Sequence, residues 1–126
     1  MKVTIQTSKA PAAIGPYSQA IKANGFLFIS GQIPIDASSG QIEAVDITSQ
    51  AKTVLDNIQA ILNAEGLDMI DVVKTTIFLT DLADFTRVND IYGKYFSQDP
   101  PARSTVQVQA LPKGVKIEIE AIAVAR

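Results

Sequence analysis

The chain contains no cysteine and no histidine among its 126 residues. Without cysteine there is no disulfide framework, no thiol nucleophile and no sulfur-ligated zinc site. Without histidine the commonest general base, the commonest metal ligand and every Ser-His-Asp arrangement are excluded. Any catalysis must then run on carboxylates, hydroxyls, lysine, arginine or the backbone. Glycine-rich phosphate loops are also missing: neither G-x-x-x-x-G-K nor G-x-G-x-x-G occurs, which argues against nucleotide enzymes. No cluster of metal-ligating residues appears, so no metal and no cofactor are expected. The formal net charge is −2 and the basic residues are scattered singly, so nucleic acid is not an expected partner. No apolar run approaches the roughly 20 residues of a membrane helix. The first ten residues are polar and lack the apolar stretch of a signal peptide. A cytoplasmic protein with no membrane partner is the expectation.

What remains is an ordinary globular composition, 47% hydrophobic and 19% charged, at a length that suits one domain spanning 1–126 and one core. Val3 to Gln6 alternate as a short edge strand would. Residues 10–17 (APAAIGPY) carry two prolines and a glycine and read as an irregular loop. Asn24-Gly25 lies between two β-prone runs and predicts a hairpin with a tight type I′ turn, the second strand ending at Ser30-Gly31. Residues 36–40 (DASSG) predict a further turn. From Ile47 the period changes: Ile47, Ala51, Val54, Leu55, Ile58, Ile61 and Leu62 form one helical stripe, with Asp46 as cap and Gly66 as stop. Val72 to Thr80 reads as a buried strand. A second helix is predicted from about Asp84, with Phe85, Val88, Tyr92, Tyr95 and Phe96 on one side, ending before Pro100-Pro101. Two strands, Ser104 to Gln109 and Val115 to Ala125, close the chain around a turn at 111–114. The order β-β-β-α-β-α-β-β is an α+β layout, with two helices on one face of a mixed sheet of five to six strands. The other face, which includes Ile122 and Val124, needs a cover, and packing sheet against sheet in an oligomer supplies one.

Few residues are placed for chemistry. Arg103 is one of three arginines, the others being Arg87 on a helix surface and Arg126 at the terminus. It follows two prolines and directly precedes a strand, so its planar fork is rigidly presented. Two readings stand: a bidentate carboxylate anchor, or a structural ion pair at a loop edge. Glu118 and Glu120 share one strand face beside Lys116. Burial at an interface would raise at least one of their pKa values and suit it to acid–base work; a solvated face with Lys–Glu pairing is the alternative. Tyr17 and Ser30 sit beside proline or glycine at loop positions, and the Gly31 region offers a backbone N–H, although ordinary turn chemistry accounts for each. Asn89 interrupts an apolar helix face and needs a partner, either a backbone group or a ligand. Tyr92, Tyr95 and Phe96 read as core.

The runs APAAIGPYSQA, FISGQIP, VVKTTIFLTD, VNDIYGKYF and PPARSTVQVQALPKGVKIEIEAIA resemble, in order and over essentially the whole chain, the RidA/YjgF family of reactive-intermediate deaminases. The resemblance implies a chorismate-mutase-like fold and a homotrimer with its sheets facing inward and its sites between subunits. It implies hydrolysis of the 2-imino acids derived from 2-aminoacrylate and 2-aminocrotonate, giving pyruvate or 2-oxobutanoate and ammonia. By position, Arg103 matches the carboxylate-binding arginine and Glu118 the residue that orients or activates water. Tyr17, Ser30, the Gly31 backbone and Asn89 match other pocket positions, whereas Glu120 is not carried over as catalytic. Thr105 stands where many members have cysteine; its hydroxyl can still bind substrate, but thiol chemistry is excluded. A non-catalytic regulatory or chaperone-like binding protein on the same trimer is the alternative function, and a chorismate-mutase activity by fold analogy is a weaker one.

Overall fold

The structure, a computed structural model, describes residues 1–125; Arg126 lies outside them. Eight principal elements follow one another: β1 (Val3–Ile5), β2 (Ala20–Ala23), β3 (Phe26–Gln32), α1 (Ile47–Ala64), β4 (Val72–Leu79), α2 (Phe85–Tyr95), β5 (Ala102–Gln107) and β6 (Ile117–Val124). They build one six-stranded mixed sheet in the order β1-β2-β3-β6-β4-β5. Only β4 and β5 pair in parallel, joined by the crossover through α2. The last strand, β6, inserts between β3 and β4 and runs antiparallel to both.

Local chemistry explains the elements. Asn24 and Gly25 both adopt positive φ (52° and 79°), the pairing a type I′ hairpin needs. Asp36 closes its turn by accepting the backbone N–H groups of Ser38 and Ser39. Helix α1 starts where the Asp46 carboxylate accepts the Ser49 N–H at 3.1 Å. It stops in a Schellman arrangement: Gly66, at φ 69°, donates to the Asn63 carbonyl and Leu67 donates to that of Leu62. The whole predicted stripe of α1 is buried, and Val88, Tyr92 and Phe96 join it from α2 and its end. Against these pack Ile117, Ile119, Ala121 and Ala123 of β6, with Ile77 and Leu79 of β4. Each fully buried aliphatic side chain contributes on the order of 1.5–3 kcal/mol relative to exposure.

Strand limits differ from the sequence reading by one or two residues at several ends, and three of these differences have a visible cause. Strand β5 begins at Ala102, because the parallel ladder with Lys74 on β4 starts there, so Arg103 lies within the strand rather than before it. Strand β6 begins at Ile117 rather than Val115, since the Lys116 N–H is taken by the buried Gln50 side chain at 2.9 Å. Strand β3 continues past Ser30-Gly31 to Gln32 through a bulge. Ile29 pairs with Ala121 and Gln32 with Ile119, leaving Ser30 and Gly31 opposite the single residue Glu120.

The second sheet face carries no helix. Phe26, Phe28, Val106 and Val124 each remain 41–44% exposed there. Lys74, Thr76, Ser104, Glu118, Glu120 and Ile122 share that face by strand alternation and register. Among the described residues, no helix is long and apolar enough to cross a membrane, and no three metal-ligating side chains come together.

Candidate functional site

The predicted residues other than Tyr17 fall into two groups on opposite faces of the sheet. The first surrounds Arg103. In the parallel ladder Arg103 stands beside Thr75 and Thr105 beside Ile77. Thr75 and Ile77 are fully buried under the helices, so the side chains of Arg103 and Thr105 lie on the helix-covered face. Arg103 Nη1 donates to Asn89 Oδ1 at 2.9 Å. The partner that Asn89 required is therefore the guanidinium itself. The Arg103 carbon Cζ lies 5.4 Å from the centroid of Phe85 and 4.9 Å from that of Tyr92, within cation–π range of both rings.

Arg103 makes no ion pair among the described residues; the pairs present are Lys22–Glu65, Lys52–Asp56 and Arg87–Asp84. Of the two readings of Arg103, the structural ion pair thus finds no acid. All its recorded contacts are neutral, and its charge is left uncompensated. Two residues along the same strand face, the buried Thr105 hydroxyl has no hydrogen-bond partner among the described residues. A buried polar group in that condition is costly unless something pairs with it.

The second group lies on the open face. A Cβ added at Gly31 would fall against the Glu118 carboxylate, with Cδ only 2.9 Å and Cγ 3.2 Å away. The missing side chain of Gly31 is what makes room for Glu118, a role that differs from the backbone donor read from sequence. Burial first, and the neighbouring Glu120 charge second, push the Glu118 carboxyl above its ordinary value near 4.5. Neither glutamate forms an ion pair among the described residues, so the pairing with Lys116 does not occur. The Ser30 hydroxyl donates to the Ser18 carbonyl at 2.6 Å and ties the preceding loop to the bulge; its proton is committed, leaving it an acceptor.

Tyr17, next in sequence to the Ser18 that Ser30 holds, is 54% exposed on the loop before β2. The backbone there is turned by Gly15 at φ 116°, and the Tyr17 N–H donates to the Gly15 carbonyl. Two strand spacings, about 10 Å, separate β5 from β6, and the sheet itself lies between Arg103 and Glu118. One chain does not bring them together. The sequence reading missed Phe85, Tyr92 and Thr75 as parts of the Arg103 environment. The signal was the spacing: Phe85, Asn89 and Tyr92 fall four and three apart, on one stripe of α2.

The architecture is that of the α+β proteins in which two helices cover one face of a mixed six-stranded sheet. The family profile described as Endoribonuclease L-PSP matches residues 7–125. The chain belongs to this family, the YjgF/RidA family. It is 52% identical to the human 2-iminobutanoate/2-iminopropanoate deaminase over 120 residues, covering 95% of this chain and 88% of the human one. Among solved structures, the Yersinia pestis protein YyfA of the conserved Rid family superposes with a TM-score of 0.95 at 52% identity, covering 98% of this chain and 99% of that one. Escherichia coli TdcF, determined with bound serine, gives 0.94 at 46% identity over 98% and 99% of the two chains.

Proposed function

We propose that the chain is a deaminase of 2-imino acids, acting without a cofactor in the cytoplasm as a homotrimer whose sites form between subunits. The observation that carries this reading is Arg103: a guanidinium fixed by an amide and two aromatic rings, with no acid to neutralise it among the described residues. Such a group is suited to hold a small carboxylate through its planar fork. The opposite-face placement of Arg103 and Glu118 supports an assembled site, in which one subunit's Arg103 meets its neighbour's Glu118. The uncovered apolar residues Phe26, Phe28 and Val124 supply a reason to assemble.

The chemistry then follows from position. Arg103 and the Thr105 hydroxyl hold the substrate carboxylate end, which fixes the imine carbon beside a water. The protonated imine carbon is electrophilic by itself. Glu118 accepts a proton as the water oxygen bonds to that carbon, and the carbinolamine forms. Proton return from Glu118 to nitrogen lets the C–N bond break as the hydroxyl gives its own proton to the freed carboxylate and the C=O forms. The departing ammonia takes up that proton, so iminium and water become 2-oxo acid and ammonium. A base with a raised pKa suits this two-way transfer. The human relative's name as a deaminase and the serine bound in TdcF are consistent with a small amino-acid-derived ligand.

The family description also names an endoribonuclease. RNA cleavage by this chain would proceed without any imidazole and against a net charge of −2, which disfavours phosphate binding. The test generates 2-aminoacrylate with a serine dehydratase and follows pyruvate release with and without the protein. Release should accelerate with the wild-type chain and fall to the uncatalysed rate with Arg103→Ala at an unchanged oligomeric state. Unchanged release with the wild type would move the assignment to a non-catalytic binding protein.

A further inference from the structure

Resting on the reading of Arg103 as carboxylate anchor, we propose that Tyr92 and Phe85 are positioning residues that hold its guanidinium flat for the substrate, with Thr75 locking Tyr92 in place. The arrangement is a closed set of contacts. Thr75 stands beside Arg103 in the β4–β5 ladder. Its buried hydroxyl lies 2.6 Å from the Tyr92 hydroxyl. The Tyr92 ring also packs against Phe96, at a centroid distance of 4.5 Å, and its centroid lies 4.9 Å from the Arg103 Cζ. Phe85, about two turns earlier on α2, supplies the second ring. Strand register, hydroxyl contact and ring contact therefore all converge on one guanidinium.

The physical consequence concerns both charge and freedom. Arg103 is exposed in the chain, and a free arginine side chain has many rotamers to lose on binding. The two rings remove much of that freedom before substrate arrives, and they do so without an acid that would compete with it. Of the five N–H groups of a guanidinium, one is given to Asn89; the others have no acceptor among the described residues. A carboxylate cradle would have fixed Arg103 equally well and cancelled its charge. The aromatic cradle fixes it and leaves the charge to the ligand.

The carboxylate is bound alike in ground and transition states, so the cradle acts on KM and leaves kcat nearly constant. Tyr92→Leu and Phe85→Leu should each raise KM for the imino acid, and the Kd for 2-oxobutanoate measured by calorimetry, by roughly 5- to 10-fold. Tyr92→Phe keeps the ring but loses the Thr75 contact, and should raise the Kd by about threefold, less than either leucine variant. Arg103→Lys keeps the charge but not the planar fork, and should lose at least about tenfold. Tyr92 is buried, so Tyr92→Leu also lowers the unfolding midpoint; the half-buried Phe85 gives the second, milder variant. If both leucine variants bind 2-oxobutanoate as wild type does while their midpoints fall, the rings are merely structural and the proposal is overturned. The same graded affinities in a wild-type chain without turnover would remove the deaminase reading and keep the cradle.

Discussion

Gly31→Ala is the substitution whose effects on fold and on chemistry separate most sharply. The new Cβ would stand 2.9 Å from Glu118 Cδ and 3.2 Å from Cγ, against carbon–carbon contacts of about 3.5–4.0 Å. Relief requires Cδ to retreat by about 0.7 Å, and the carboxylate at the end of the lever by more. The recorded neighbours all belong to one flexible side chain, so Glu118 can turn aside without moving the backbone. Leaving its rotamer minimum costs about 0.5–1.5 kcal/mol. Replacing glycine within a strand recovers about 0.5–1 kcal/mol. Stability should therefore change by less than about 1 kcal/mol, the difference of those two terms. Turnover should fall on the order of 10²-fold, the scale expected when a reacting group is displaced by about 1 Å. Thermal unfolding and pyruvate release measure the two effects on the same sample. In a Glu118→Ala background the clash is gone, and Gly31→Ala should stabilise the protein. Turnover within threefold of wild type, or a destabilisation that persists without Glu118, would refute the reasoning.

Two further outcomes follow from the same geometry. Burial and the Glu120 charge both raise the Glu118 pKa, and a base works only when ionised, so the acid limb of kcat/KM should lie above an ordinary glutamate titration. Glu120→Gln removes one cause and should move that limb to lower pH; a limb unmoved in a pH–rate profile would exclude Glu118 as the group titrating. The linked stability has a definite sign: the stabilisation associated with protonated Glu118 is present below the unfolded glutamate pKa and is lost as pH rises through the folded one. Thr105→Val replaces a buried hydroxyl that lacks a partner among the described residues by a methyl group. The unfolding midpoint should hold or rise, because removing an unsatisfied group avoids a penalty of about 1–3 kcal/mol. KM should rise, and an unchanged KM would take Thr105 out of the site.

Much of the fold was legible because its signals are local. The stripe of α1, its Asp46 cap and Gly66 stop, and the Asn24-Gly25 turn depend on residues within a few positions of each other, and each appears as expected. The strand ends were misplaced where a distant group decided them. The buried Gln50 side chain takes the Lys116 N–H across the molecule, and a bulge carries β3 beyond Gly31. Neither leaves a mark in the local sequence. For the site, Arg103 was visible through its rarity and its prolines, but its surroundings were not. Tyr92 read as core because an aromatic on a helix stripe usually is. It is core, buried to 5% exposure, and it also bounds the guanidinium.

The division of the site between two sheet faces follows from strand register. Side chains alternate along a strand, so Arg103 and Thr105 point toward the helices only because Arg103 aligns with Thr75 and Thr105 with Ile77. A one-residue slip of β5 would turn both to the open face and carry Ser104 and Val106 under the helices. Such a slip would also separate the guanidinium from Asn89, Phe85 and Tyr92, all of which are fixed on α2. The contacts that orient Arg103 are thus the same ones that hold the edge strand in register. Glu118 obeys the opposite constraint: Ile117 and Ile119 on either side are fully buried, which forces its carboxylate outward. A single sheet of this register keeps the proposed anchor, Arg103, and the proposed base, Glu118, on opposite surfaces. Turnover that needs both groups therefore requires a second copy of the chain, and dilution to the monomer should abolish it without unfolding either half-site.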